Sequence, residues 1–277
     1  MKDNCFILFH LSTGDCLTMY ACICHYSKLY KYIYIFCLER NEKFIKQLYK
    51  NKNIIITVIP KIEHNKIELH YAAPLSYINK FLPKLKDFDI IKSGNSFSED
   101  CKIIDEWDKL NKYGEFWKKF YAQVNLPYEI RYKYTDINRN YKKEIDFYEK
   151  IKKIYGEKYI FAQDHLSVNY KHAGRQSLLN ENIINNEIPI FHPNINFYRN
   201  HKNHKFYNLW NTDLISDNLL DYCTILERAE KIIMIDSSFS CLCVYLNLEN
   251  VKEKIVYTNL NYIDYHKSFK NWFIKNK

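Results

Sequence analysis

Along the first 60 residues, apolar positions alternate between short unbroken runs and stretches with helical spacing. Asn4 to Leu11 (NCFILFHL) is an almost unbroken apolar run, which reads as a first buried strand. In Cys16 to Lys31, Leu17, Tyr20, Ala21, Cys24 and Leu29 can share one broad apolar face, as in an amphipathic helix. Tyr32 to Leu38 and Ile54 to Ile59 are apolar and rich in β-branched or aromatic residues, with a helical segment from Asn41 to Tyr49 between them. Strand, helix, strand, helix, strand at this spacing predicts a parallel, doubly wound sheet. Beyond Pro60 the pattern predicts an extended segment at Lys66 to Tyr71, a helix at Leu75 to Leu85, a fourth strand at Phe88 to Ile91 and a turn at Gly94. Helical spacing from Asp105 to Val124 breaks near Gly114 and stops at Leu126-Pro127.

Tyr128 to Tyr134 reads as an extended connector, which places a domain boundary near residue 130 and divides the chain into residues 1–130 and 131–277. The second half begins the pattern again. A helix from Asn140 to Tyr155 stops at Gly156, and strands follow at Tyr159 to Gln163 and Ile188 to His192. Asp217 to Glu230 is helical and leads into a buried strand, Lys231 to Ile235, then Asp236-Ser237-Ser238 and a second apolar helix from Phe239. A strand at Lys254 to Thr258 and a helix at Tyr262 to Ile274 close the chain. The expected class is α/β, with two Rossmann-like halves and no internal sequence repeat.

Composition changes this picture little. Apolar residues make up 47% of the chain, ample for two cores, and an aromatic share of 17% with many Lys, Asn, Ile and Tyr has the character of an AT-rich coding sequence. The tyrosines are therefore weak evidence for base or sugar stacking. A net charge of +9 points to an anionic partner, but the lysines are interleaved with acids, as in Lys142 to Lys158, in the manner of a solvated helix face. Nine cysteines, five of them before residue 40, do not form a secreted disulfide pattern, so a reducing, cytoplasmic setting is expected. Cys22, Cys24 and His25 lack a second ligand pair at zinc spacing and read as core residues. The apolar run near Met1 is too short to span a bilayer, and no later run stays free of charge long enough to do so.

Two places can carry chemistry. Thr13-Gly14-Asp15 follows the first strand and opens the first helix, where an open α/β sheet presents its ligand-facing loops. Asp236-Ser237-Ser238 lies between a buried strand and a helix, where backbone N–H groups favour phosphate, although a serine there also caps a helix. No G-x-G-x-x-G and no Walker-type loop occurs in the chain.

Gly14-Asp15 after the first strand, and Ala229 through Asp236-Ser237-Ser238 near the other end, resemble the GT-B class of glycosyltransferases, most specifically its heptosyltransferase-like branch. The run YIFAQDHLSVNYKHAGR is similar to the donor-side loop of small glycosyltransferases of bacteria and large DNA viruses. The resemblance implies two Rossmann-like domains facing a cleft, in a cytoplasmic enzyme (host cytoplasm if viral). It makes Asp15 the catalytic base, with His10 a second candidate inside the first strand. Asp236, Ser237, Ser238 and Phe239 would hold the diphosphate of a nucleotide-sugar donor, assisted by Lys171 or Arg175, and Asn218 and Asp221 would meet the ribose. No cofactor and no metal is expected beyond the donor substrate, with a glycan or other hydroxyl acceptor as the partner and no nucleic acid. Two departures stand out: Ser238 occupies the place of the family's glycine, and Cys241 and Cys243 lie near the place of its histidine. The rival readings are a polyanion-binding module built on the basic run Arg199 to Lys205, and a transferase fold without activity.

Overall fold

The computed structural model describes residues 3–60, 78, 87–94, 116–164, 187–194, 214–258 and 271–276, and divides into two compact units, 1–138 and 139–277. In the first unit, β1 (Asn4–Leu8), α1 (Thr13–Tyr26), β2 (Tyr32–Leu38), α2 (Glu42–Leu48), β3 (Ile54–Ile59) and β4 (Phe88–Lys92) form a sheet of order β3-β2-β1-β4. Every pairing in it is parallel. One face buries Phe6, Leu8, Leu11, Phe36, Leu38 and Ile59, with Phe6 stacked on Tyr34 and Phe36 and edge-on to Phe88. On α1, residues Cys16 through Cys24 are all buried, so this helix is enclosed on more sides than a surface helix. Parallel strands buried on both faces read as continuous apolar runs, which is why β1 and β2 were legible, while the edge strand β3 is marked by its β-branched residues.

The buried tyrosines work as polar fasteners. Tyr20 Oη donates to Asp136 O at 2.7 Å, Tyr26 Oη to Val124 O at 2.8 Å and Tyr121 Oη to Thr18 O at 2.6 Å. Each satisfies a backbone carbonyl while the ring fills core volume. Through them α1 is tied to α3 (Phe116–Gln123) and to the segment after it. That segment departs from the expected extended connector: Tyr128–Tyr132 is a 3₁₀ helix packed on α1, and the units divide after Asn138.

The second unit contains α4 (Tyr141–Tyr155), β5 (Ile160–Gln163), β6 (Ile190–Phe191), a 3₁₀ turn (Leu219–Tyr222), α5 (Cys223–Glu227), β7 (Lys231–Ile235), α6 (Ser238–Cys243), β8 (Glu253–Thr258) and β9 (Phe273–Asn276). Its sheet has the order β6-β5-β7-β8-β9, again wholly parallel. Helix α4 has the ends its sequence announced: Asn140 accepts from the Lys143 N–H at 3.1 Å, and Gly156, at φ 82°, stops it. The expected closing helix is corrected at its end. Phe273 and Ile274 pair with Ile255 and Val256 in a strand, whose backbone groups satisfy the N–H and C=O groups along that edge of β8. The remainder of that expected helix lies outside the described residues. Asp217 to Glu230 is likewise a 3₁₀ turn followed by one short helix, not a single helix.

Arg139 joins α4 to α5. Its guanidinium meets Glu144 at 2.5 Å and Glu227 at 2.6 Å, and Thr224 donates to Glu144 at 3.0 Å. The Glu144 side chain is fully buried. Hydrogen bonds that the guanidinium donates to both carboxylates hold it charged against the burial that opposes it. Removing the cation leaves a buried carboxylate without a counter-ion, so Arg139→Ala is expected to cost roughly 3–5 kcal/mol. The exposed pair Lys50–Asp136, at 2.9 Å, is expected to change stability by less than about 1 kcal/mol on Lys50→Ala. Urea denaturation of the two variants measures the contrast.

Candidate functional site

In a parallel sheet the strand ends spread apart where chain connections leave in opposite directions, and ligands bind there at the carboxyl edge. In the first unit that switch lies between β1 and β4. β1 ends at Leu8, whose carbonyl accepts from Ser93 N at 2.8 Å, so His10 lies beyond the strand and not inside it as expected. Asn41 fixes the loop that follows, donating to Leu11 O at 3.0 Å while its Oδ1 accepts from Thr13 Oγ1 at 3.1 Å.

Helix α1 starts at Thr13, so Gly14 and Asp15 belong to its first turn. Ser12 occupies the N-cap without capping through its side chain. It donates instead to Asp15 Oδ2 at 2.5 Å. His10 Nδ1 stands 3.7 Å from the same oxygen, and the two side chains are only 8% and 14% exposed. The structure thus brings the two expected catalytic residues together. Burial pushes the Asp15 carboxyl up to about 6, opposed by the Ser12 hydrogen bond. A carboxylate with that affinity, at the mouth of an α/β crevice, can take a proton from a substrate hydroxyl near neutral pH.

In the second unit the switch lies between β5 and β7. Ser237 bridges it, donating to Gln163 Oε1 at 2.9 Å. The first turn of α6 is a closed capping box: Ser237 Oγ accepts from the Phe239 N–H at 3.3 Å and from the Ser240 N–H, and Ser240 Oγ accepts from the Ser237 N–H at 3.0 Å. Ser240 also donates to Asp236 Oδ1 at 3.0 Å. The expectation that the opening N–H groups stand unpaired is therefore corrected. Phe239 gives its N–H to the cap, and among the described residues Ser238 keeps the one first-turn N–H outside these bonds.

Asn218 and Asp221 are also taken up locally. Asn218 Oδ1 accepts from the Leu220 N–H at 3.1 Å, and Asp221 Oδ2 accepts from Ser216 and pairs with Lys143 Nζ at 2.8 Å. The other Asp221 oxygen, Oδ1, is buried without a protein partner. Lys171 and Arg175, and the basic run 199–205, lie outside the described residues. Sequence reasoning missed a buried pair beside this edge: His192, fully enclosed, meets Asp164 Oδ1 at 2.8 Å through Nε2 while its Nδ1 accepts from the Asn194 N–H at 3.1 Å. Nε2 also lies 3.3 Å from the Asp164 backbone N–H, and these contacts lock the ends of β5 and β6 together. A histidine closing a short apolar run, 28 residues from an acid closing another, carries no local signal.

The described cysteines, Cys5, Cys16, Cys22, Cys24, Cys37, Cys223, Cys241 and Cys243, are all buried and free, and burial pushes the Cys24 thiol up to about 11. They are core residues. Among the described residues no helix is long and apolar enough to cross a membrane.

No family model matches the chain, and no curated protein matches its sequence. Solved structures do. The structure of ADP-heptose LPS heptosyltransferase II from E. coli aligns with 99% of this chain and 90% of its own at TM-score 0.55 and 10% identity. A glycosyl transferase family 9 protein from Veillonella parvula DSM 2008 aligns with 92% of this chain and 80% of its own at TM-score 0.51 and 11% identity. The fold is that of these heptosyltransferase-like proteins: α/β with wholly parallel sheets.

Because the Asp15 carboxyl binds its proton more tightly folded than unfolded, its contribution favours the native state below about 3.8 and is lost as pH rises through about 6. Asp15→Asn removes the charge and keeps an acceptor for Ser12. The variant is expected to match wild type near pH 4 and to exceed it above pH 6, by on the order of 2–3 kcal/mol. Chemical denaturation at a series of pH values measures the difference.

Proposed function

We propose that this protein is an inverting, metal-independent glycosyltransferase, which moves a sugar from a nucleoside-diphosphate donor to a hydroxyl of a glycan acceptor. The observation that carries the reading is Asp15, a buried carboxyl with raised proton affinity on the first turn after β1, in a fold shared with a heptosyltransferase. In this reading the first unit takes the acceptor and the second the donor. The Asp15 carboxylate takes the acceptor proton as its oxygen attacks the anomeric carbon, and the bond from that carbon to the diphosphate breaks. One displacement from the far side inverts the anomeric centre. The departing diphosphate is met by the Ser238 N–H and by Lys171 or Arg175, the role a metal plays elsewhere. The unpartnered Asp221 Oδ1 suits a ribose hydroxyl as donor.

Asp15→Asn is expected to lower turnover by about 10²- to 10⁴-fold while leaving nucleoside-diphosphate affinity near wild type, as read by transfer assays and calorimetry on the same variant. Near-normal transfer would rule Asp15 out as the base.

Ser238→Pro tests the donor side without removing the cap. Ser238 is the first helical residue, where proline is well tolerated, and Ser237 before it is already extended at φ −158° and ψ −173°. The substitution deletes one N–H and should weaken nucleoside-diphosphate binding by about 10- to 150-fold with little loss of stability, a hydrogen bond to a charged group being worth roughly 1.5–3 kcal/mol. Activity that vanishes with EDTA and returns with manganese would overturn the metal-free part of the reading.

A further inference from the structure

Gly94 follows β4 at φ +127°, a conformation that residues with a side chain rarely adopt. A Cβ at this position would stand 2.5 Å from His10 Cδ2 and 2.6 Å from His10 Nε2. The imidazole is therefore packed directly on the Gly94 backbone, and Phe120 meets it edge-on at 5.1 Å. Gly94 is itself held by a single side chain of α3. Its N–H donates to Gln123 Oε1 at 2.6 Å, and its carbonyl accepts from Gln123 Nε2 at 3.1 Å. Beside it, Ser93 Oγ donates to Phe120 O at 2.9 Å. These bonds extend no sheet ladder. They anchor the end of β4 to α3 and so define where the His10 ring stands, with Nδ1 3.7 Å from Asp15 Oδ2.

We propose that Gln123 is a positioning residue for Asp15: its amide clamps Gly94, the Gly94 backbone seats the His10 ring, and the ring sets the place and proton affinity of the carboxylate. The proposal rests on the reading of Asp15 as the base. At 3.7 Å the contact is too long for a hydrogen bond and acts through charge. An imidazolium there favours the carboxylate, and the carboxylate favours the imidazolium. The other group acting directly on Asp15 is the Ser12 hydroxyl, and Arg40 and Cys37 join Asp15 in acting on the neighbouring Cys16. Glycine is required at position 94 for two independent reasons, its φ and the imidazole against it. The Gln123 amide offers an acceptor and a donor at once, which meet the N–H and the C=O of Gly94 on successive peptide units.

The test is a pH titration of the full chain by NMR, following the Asp15 carboxyl carbon, assigned with Asp15→Asn, and the His10 ring carbon, assigned with His10→Gln. Gln123→Met keeps the length and removes both clamp bonds, whereas Gly94→Ala drives a methyl group into the ring. Each variant is expected to raise the Asp15 midpoint and lower the His10 midpoint by about half a pH unit or more, as loss of an opposite charge requires. A thermal unfolding scan of the same samples separates this from a merely structural clamp, which would lower the melting temperature and leave both titrations at their wild-type positions. That result in whichever variant folds overturns the proposal. Its failure is distinct from failure of the base reading, since normal transfer by Asp15→Asn removes the base while shifted titrations in Gln123→Met still establish the clamp.

Discussion

The constraint on which this molecule depends is that every strand pairing described in it is parallel. A parallel pair cannot be closed by a hairpin, so each strand is followed by a crossover, and all strand-to-helix turns fall on one edge of each sheet. Where neighbouring strands send their crossovers to opposite sides, between β1 and β4 and between β5 and β7, the turns separate and leave a crevice. Asp15, His10 and Gly94 gather at the first of these places, and Asp236, Ser237 and Gln163 at the second. Their meeting follows from topology before any side chain is considered.

The two edges solve the problem of buried polar groups in opposite ways. At the second, hydrogen bonding is turned inward: Ser237 serves Gln163 and two amides, Ser240 returns the cap, and Asp164 and His192 occupy each other. Such closed networks are rigid and leave few groups for a ligand, chiefly the Ser238 amide and Asp221 Oδ1. At the first, a carboxyl is held out of water with one hydroxyl donor and an imidazole beyond bonding distance. Burial without full compensation is what raises proton affinity, and it costs stability whenever the group is charged. In the proposed function the second edge binds the donor and the first moves the proton.

Elsewhere polar burial is structural. Arg139 with Glu144 and Glu227 braces α4 against α5, and the tyrosine hydroxyls of Tyr20, Tyr26, Tyr121 and Tyr159 each cap a backbone carbonyl. An aromatic-rich composition is used here largely for packing with a polar tip, consistent with the weak weight given to tyrosine as a sign of ligand stacking.

From its sequence alone the chain declared its class and most of its strands, because strands enclosed by a parallel sheet must be apolar throughout and that pattern is local. β2, β3 and β7 have the expected bounds, and α4 starts at its asparagine and stops at its glycine for reasons written within four residues of each end. Asp15 was legible for the same reason, since it stands one turn after a strand. What only the tertiary structure decided are the features that depend on distant partners. His10 lies past the end of β1 in the loop before α1, and Phe273 and Ile274 pair with the edge of β8. The serines of Asp236-Ser237-Ser238 fit a cap and an anion site equally well in sequence, and the capping box with Gln163 beneath it shows how many of their amides the protein keeps for itself. Gln123, Gly94 and His192 act through neighbours 28 or more residues away, and spacing along a chain holds no record of contacts that folding alone creates.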